Sequence, residues 1–189
     1  PDGEHRLTVA VVRLPRMSNF TDFAIFDLWP GVELVYVERP EDLGNPDLII
    51  VPGSKHTVAD MRFLQDSGIA ARITALHERG VPVIGICGGF QMLGKTIRDP
   101  LGVDGCRGEI AGLGLIDAET EFFADKRTVR TTLEIAPQAA RGILDGTAGI
   151  RLTGYEIHMG ETVASSSSVI LGMLEDKRPD GAVNQTGTV

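Results

Sequence analysis

The stretch from Val81 to Gly94 reads VPVIGICGGFQMLG. An apolar, β-branched run passes straight into Gly85-Ile86-Cys87-Gly88-Gly89, the G-x-C-x-G form of a nucleophile elbow. A turn from a strand directly into a helix is tight, and small residues must flank its apex because strand and helix pass close together. The apical side chain then projects outward at a helix N-terminus, where backbone N–H groups and the helix dipole favour a thiolate. Cys87 in this frame is expected to be a covalent nucleophile. A free cysteine is most often a small buried apolar residue; Gly85, Gly88 and Gly89 argue against that for Cys87. Cys106, in Gly105-Cys106-Arg107, has no such frame and reads as structural or incidental.

A thiol that attacks a carbonyl needs donors for the oxyanion it creates. Val51-Pro52-Gly53-Ser54-Lys55-His56-Thr57 ends another apolar run with a Pro-Gly turn. In open α/β sheets ligands bind at the carboxyl ends of strands. The backbone N–H groups of Gly53 and Ser54 are therefore candidates to join that of Gly88 in an oxyanion hole. The same residues would also make an ordinary β-to-α turn. Gln91 follows Cys87 by one helical turn and shares its face, which makes it a candidate to line the substrate site.

The segment GFQMLGKT, Gly89 to Thr96, matches the phosphate-loop pattern G-x-x-x-x-G-K-[ST] letter for letter. A phosphate cradle needs a loop whose N–H groups converge on an anion. Phe90-Gln91-Met92-Leu93 is instead a helix-forming, core-packing tetrapeptide, so the match reads as accidental.

The elements that would hold these turns alternate. Leu7–Leu14, Val32–Val37, Asp47–Val51 and Val81–Cys87 are near-continuous apolar runs, as in a parallel sheet covered on both faces. Thr57-Val58-Ala59-Asp60 opens a helical pattern like a capping box, with Asp in place of Glu, and the pattern stops near Ser67-Gly68. A second runs from about Ile69 to Arg79-Gly80. The expected fold class is α/β: an open, mostly parallel sheet with helices on both faces and right-handed crossovers. After about Asp99 glycines multiply and apolar runs shorten, at Leu113–Ile116, Val129–Ile135, Ile150–Ile157 and Val169–Leu174. These predict shorter, antiparallel strands, with Ser165–Ser168 as a polar loop.

Composition bounds the partners. The chain of 189 residues, 42% hydrophobic, suits one globular domain. A net charge of −8, with 18 scattered Lys and Arg residues, argues against nucleic acid or an anionic membrane. No apolar stretch approaches the roughly 20 residues needed to span a bilayer. Two cysteines make no disulfide framework, which predicts a reducing, cytoplasmic setting. Residues 1–6 read as a polar linker from a preceding domain. No metal site is expected.

These residues carry a resemblance. Gly85 to Gly94 resembles the nucleophile motif of class I, triad-type glutamine amidotransferases, which share a flavodoxin-like fold. Arg13-Leu14-Pro15-Arg16-Met17-Ser18-Asn19-Phe20-Thr21-Asp22, Pro46-Asp47 through Thr57, and Gly154-Tyr155-Glu156-Ile157-His158-Met159-Gly160 narrow it to the C-terminal glutaminase domains of the cobyric acid synthase family. The resemblance covers nearly the whole chain. It implies that Cys87 forms a γ-glutamyl thioester with glutamine. The ammonia released would pass to a preceding ATP- and magnesium-dependent synthetase domain, which amidates the corrin substrate adenosylcobyrinic acid a,c-diamide in cobalamin biosynthesis. The glutaminase domain would need no cofactor of its own. It also implies that the catalytic histidine belongs to a later motif, Gly-Thr-Tyr-Leu-His-Gly, expected beyond Val189. The domain, 7–189, would then be truncated and inactive alone, with His158 as a pocket-lining residue or substitute base. Two other readings stand beside it: the ammonia-supplying subunit of a related ligase of the isoglutaminyl synthase type, and a non-catalytic docking module.

Overall fold

The computed structural model describes residues 6–166 and 168–189, the side chains of 125–127 apart. His5 and the rest of the expected linker before Arg6 lie outside the described residues, as does Ser167 of the polar loop. Four strands, β1 (Leu7–Val12), β2 (Val32–Val37), β3 (Leu48–Val51) and β4 (Val83–Gly85), form a parallel sheet in the order β2-β1-β3-β4. Both faces are covered, which is why these strands are runs of apolar residues without alternation. Helices α1 (Thr57–Asp66), α2 (Ile69–Glu78) and α3 (Gly88–Leu93) cover one face; their Met61, Leu64, Ile73, Leu76 and Met92 pack against Val12, Ile49, Val51 and Val83. On the other face Phe23 packs on Val9, Val11 and Ile50. It comes from a 3₁₀ segment, Phe20–Leu28, a helix that the apolar pattern of the sequence did not single out.

The capping box expected at Thr57 does not form. The N-cap residue is His56, which makes no side-chain cap. The free N–H groups of Thr57 and Val58 donate instead to the Asp104 carboxylate, at 3.1 and 2.8 Å. Asp60 turns away from the helix start, toward Ser54 and Arg16.

The remaining strands are β5 (Thr96–Asp99), β6 (Gly108–Ala111), β7 (Ala118–Ile135), β8 (Arg151–Ala164), β9 (Val169–Leu174) and β10 (Pro179–Val183). They form a second sheet in the order β10-β9-β7-β5-β6, with β8 on β7. Its pairs are antiparallel except β5–β7. The expectation of shorter strands here is corrected: β7 has 18 residues and β8 has 14. A strand wet on one face alternates apolar with polar residues, so its length does not show as an apolar run. Leu113–Ile116 is not a strand. Its N–H groups at Leu113, Leu115 and Ile116 donate to the Met92 and Leu93 carbonyls at 2.8–3.0 Å, capping the end of α3. Among the described residues no helix is long and apolar enough to cross a membrane.

Candidate active site

Cys87 lies between β4 and α3 with φ 52° and ψ −111°. A non-glycine residue at positive φ is strained, and such strain gathers at functional turns. The surroundings hold it there. Ile86 N–H donates to Val51 O at 3.0 Å, and Gly89 N–H to Ile86 O at 2.9 Å. A Cβ on Gly85 would stand 2.6 Å from Phe90 Cα, and one on Gly89 would overlap the Val51 carbonyl. The flanking glycines are therefore demanded by the close passage of strand and helix.

The Pro52-Gly53-Ser54 turn meets this elbow. A Cβ on Gly53 would be 3.8 Å from Cys87 Cβ, and one on Gly88 would be 3.0 Å from Ser54 N. The two turns expected to share an oxyanion hole thus lie side by side. A third segment joins them: Ser18 N–H donates to Gly53 O and Lys55 N–H to Arg16 O, each at 2.9 Å, and Met17 bridges Ser54. Ser18 Oγ occupies the space a Gly53 side chain would need.

Around the sulfur the structure adds what sequence reasoning missed. The Cys87 thiol donates to the Ile157 carbonyl of β8 at 3.4 Å. Cys87 is exposed as a residue, while the protein packed about its side chain partly desolvates the thiol. Burial of the sulfur pushes the thiol pKa up; a hydrogen bond from Gly88 N–H pulls it down, and the charge of Asp180 raises it further. The expectation that the helix start and small neighbours would favour the thiolate is corrected: α3 is one short helix, and desolvation outweighs it. Asp180 is itself held above the usual carboxylate range by burial, opposed by Gly181 N–H. The neighbouring Glu156 side chain, 7% exposed, accepts from Arg178 at 2.8 Å. Nothing local in the sequence joins Glu156, Arg178 and Asp180, since pairing of separate strands brings them together.

His158 carries one ring nitrogen 2.8 Å from Gly160 O and the other 3.0 Å from Glu156 Oε1. Both nitrogens thus have hydrogen-bond partners other than the thiol. His56 meets the Asp104 carbonyl at 2.9 Å. His77 is half-buried and contacts Val81 O and Thr188 Oγ1. Gln91 is 7% exposed, and its Oε1 accepts from Thr57 Oγ1 at 3.3 Å. It braces α3 against α1 rather than facing an open pocket. The phosphate-loop match is the helix α3 itself, and Lys95 forms an ion pair with Asp117 at 2.5 Å. Cys106 packs half-buried against the main core. Among the described residues no cluster of His, Cys, Asp and Glu could hold a metal ion.

With this geometry in hand, residues 8–189 match the family model described as the CobB/CobQ-like glutamine amidotransferase domain. The chain belongs to that family. It is 42% identical to the cobyric acid synthase of Alkaliphilus metalliredigens (strain QYMF), over 98% of this chain and 38% of that one. It is 46% identical to the cobyric acid synthase of Yersinia enterocolitica serotype O:8 / biotype 1B, over 99% of this chain and 37% of that one. The chain thus spans between a third and two fifths of these curated relatives. Among solved structures, PurLQS from Thermotoga maritima superposes with a TM-score of 0.69 at 20% identity, covering 97% of this chain and 84% of that one. A glutamine amidotransferase crystal structure gives 0.64, also at 20% identity, covering 94% and 85%. These two likenesses show the fold alone: α/β, with a parallel sheet leading into the elbow.

Proposed function

We propose that this glutamine amidotransferase domain hydrolyses glutamine through Cys87. The observation that carries the assignment is the strained Cys87 backbone at the junction of β4 and α3, with the Gly53-Ser54 turn beside it. The sulfur adds to the side-chain amide carbon, and the carbonyl oxygen becomes an oxyanion facing the Ser54 and Gly88 N–H groups. The C–N bond then breaks as the departing nitrogen takes up the proton given up by the thiol, so ammonia leaves and a γ-glutamyl thioester remains. Water cleaves the thioester, releasing glutamate and restoring the thiol. Thiol pKa and oxyanion donors come from this chain. The proton-transferring histidine is proposed to lie outside the described residues, since the sulfur's hydrogen-bond acceptor among them is the Ile157 carbonyl and not a histidine.

The wider reaction is proposed from the relatives. They are named cobyric acid synthases, and the ammonia would amidate adenosylcobyrinic acid a,c-diamide at an ATP- and magnesium-dependent synthetase domain in the cytoplasm. The resemblance at Ser18–Asp22 favours this over a ligase of the isoglutaminyl synthase type.

A diazo-ketone analogue of glutamine tests the site. Peptide mapping should find the label on Cys87 alone, with Cys106 unmodified. Cys87→Ser should lower labelling on the order of a thousandfold. Labelling that survives Cys87→Ser would remove the nucleophile assignment. Steady glutamate release by this chain, lost in His158→Ala, would overturn the assignment of the base.

A further inference from the structure

Asp60 is a carboxylate with no exposure to solvent, in the first turn of α1. A buried charge is stable only when it is paired and hydrogen-bonded. Its partners are specific. Oδ2 accepts from Ser54 Oγ at 2.6 Å and from Arg16 N–H at 3.3 Å; Oδ1 lies 3.5 Å from the Arg16 guanidinium. Ser54 Oγ in turn accepts from His56 N–H at 2.9 Å. Arg16 and Ser54 belong to the two segments that meet over the elbow, joined by the Lys55 N–H bond to Arg16 O and the Met17–Ser54 bridge. One carboxylate therefore fixes both segments from beneath.

We propose that Asp60 is a positioning residue: its carboxylate, anchored on α1, holds the Ser54 turn and the Arg16–Ser18 strap in register, so that the Ser54 N–H stays aimed at the oxyanion formed on the Cys87 adduct. This rests on the glutaminase reading above. The physical ground is that an oxyanion donor works through fixed placement, and small displacements of a preorganised group cost large factors in rate. The short Ser54–Asp60 bond is charge-assisted, the strong kind, and suits such a clamp. Backbone bonds from Ser18 to Gly53 and from Lys55 to Arg16 tie the turn to the strap, and the Ser54 hydroxyl adds the link to α1.

Two reagents separate positioning from general structure. A diazo-ketone analogue of glutamine must place its carbonyl among the oxyanion donors. Iodoacetamide alkylates the same sulfur by direct displacement and needs none of them. The ratio of the two labelling rates at Cys87 therefore reads the donors alone. Asp60→Ala should lower that ratio about tenfold or more, with the iodoacetamide rate within about twofold of the parent. Asp60→Asn keeps an acceptor for Ser54 and should recover the ratio to within about threefold. Ser54→Ala removes only the hydroxyl link and should lower the ratio about fivefold, and it decides the matter if Asp60→Ala does not fold. An unchanged ratio in Asp60→Ala and Ser54→Ala overturns the proposal, as does a parallel fall of both rates. Failure of the underlying reading looks different: diazo-ketone labelling of the parent would then persist in Cys87→Ser.

Discussion

The two sheets of this domain divide the work on one sulfur atom. The parallel sheet places Cys87: β4 and α3 fix its backbone, and β3 brings Gly53 and Ser54 alongside. The antiparallel sheet sets its chemistry: β8 supplies the Ile157 carbonyl and Glu156, and β10 supplies Asp180. They also differ in texture. Ile49, Val51 and Val83 of the parallel sheet are wholly buried, whereas Tyr155 of β8 is 71% exposed. Placement here depends on close packing that admits no extra atom. Tuning depends on longer-range charge and one hydrogen bond, and a half-solvated ribbon can deliver both.

Substitutions at matched positions should sharpen or break this division. The largest contrast is between two glycines. In Gly89→Ala the new methyl would overlap the Val51 carbonyl, whereas at Gly154, in β8, nothing lies within 4 Å. Gly89→Ala should cost about 4 kcal/mol or more, and Gly154→Ala should stay within about 0.5 kcal/mol, by urea unfolding. Equal costs would mean that the two sheets are equally tight. Next come two side chains: Met92 is fully buried and Leu152 is 50% exposed. Met92→Ala should cost about 3 kcal/mol and Leu152→Ala under about 1 kcal/mol in the same assay.

The smallest effect is electrostatic. The folded-state pKa of Cys87 is raised, so at neutral pH the thiol is protonated and alkylation rises with pH, through a midpoint above the usual thiol value. Asp180→Asn removes a negative neighbour, which stabilises the thiolate and moves that midpoint down. Iodoacetamide should then label Cys87 about threefold faster at pH 7.5, with stability unchanged. A slower rate would mean that Asp180 does not act on the sulfur through its charge.

The same division explains what could be read from the chain. Strand β2 runs over Val32–Val37 as its apolar run predicts, and the glycines around Cys87 announced the elbow, because close packing imposes residue types locally. Strands β7 and β8 outran their apolar signals because water on one face allows any polar residue there. The Thr57 capping box failed for a related reason. Its spacing was right, yet Asp104 reaches the helix start across the fold, and Asp60 is taken by Ser54 and Arg16. Glu156, Arg178 and Asp180 gave no local sign at all, since their meeting depends on strand register.

With its S–H resting on the Ile157 carbonyl, Cys87 is also guarded against peroxide. Oxidation to a sulfenic acid begins from the thiolate and follows its exposure. A protonated sulfur offers little thiolate, even in an exposed residue. Whatever turns the sulfur into a thiolate for an amide also readies it for an oxidant, so the acceptor on β8 sets reactivity toward both.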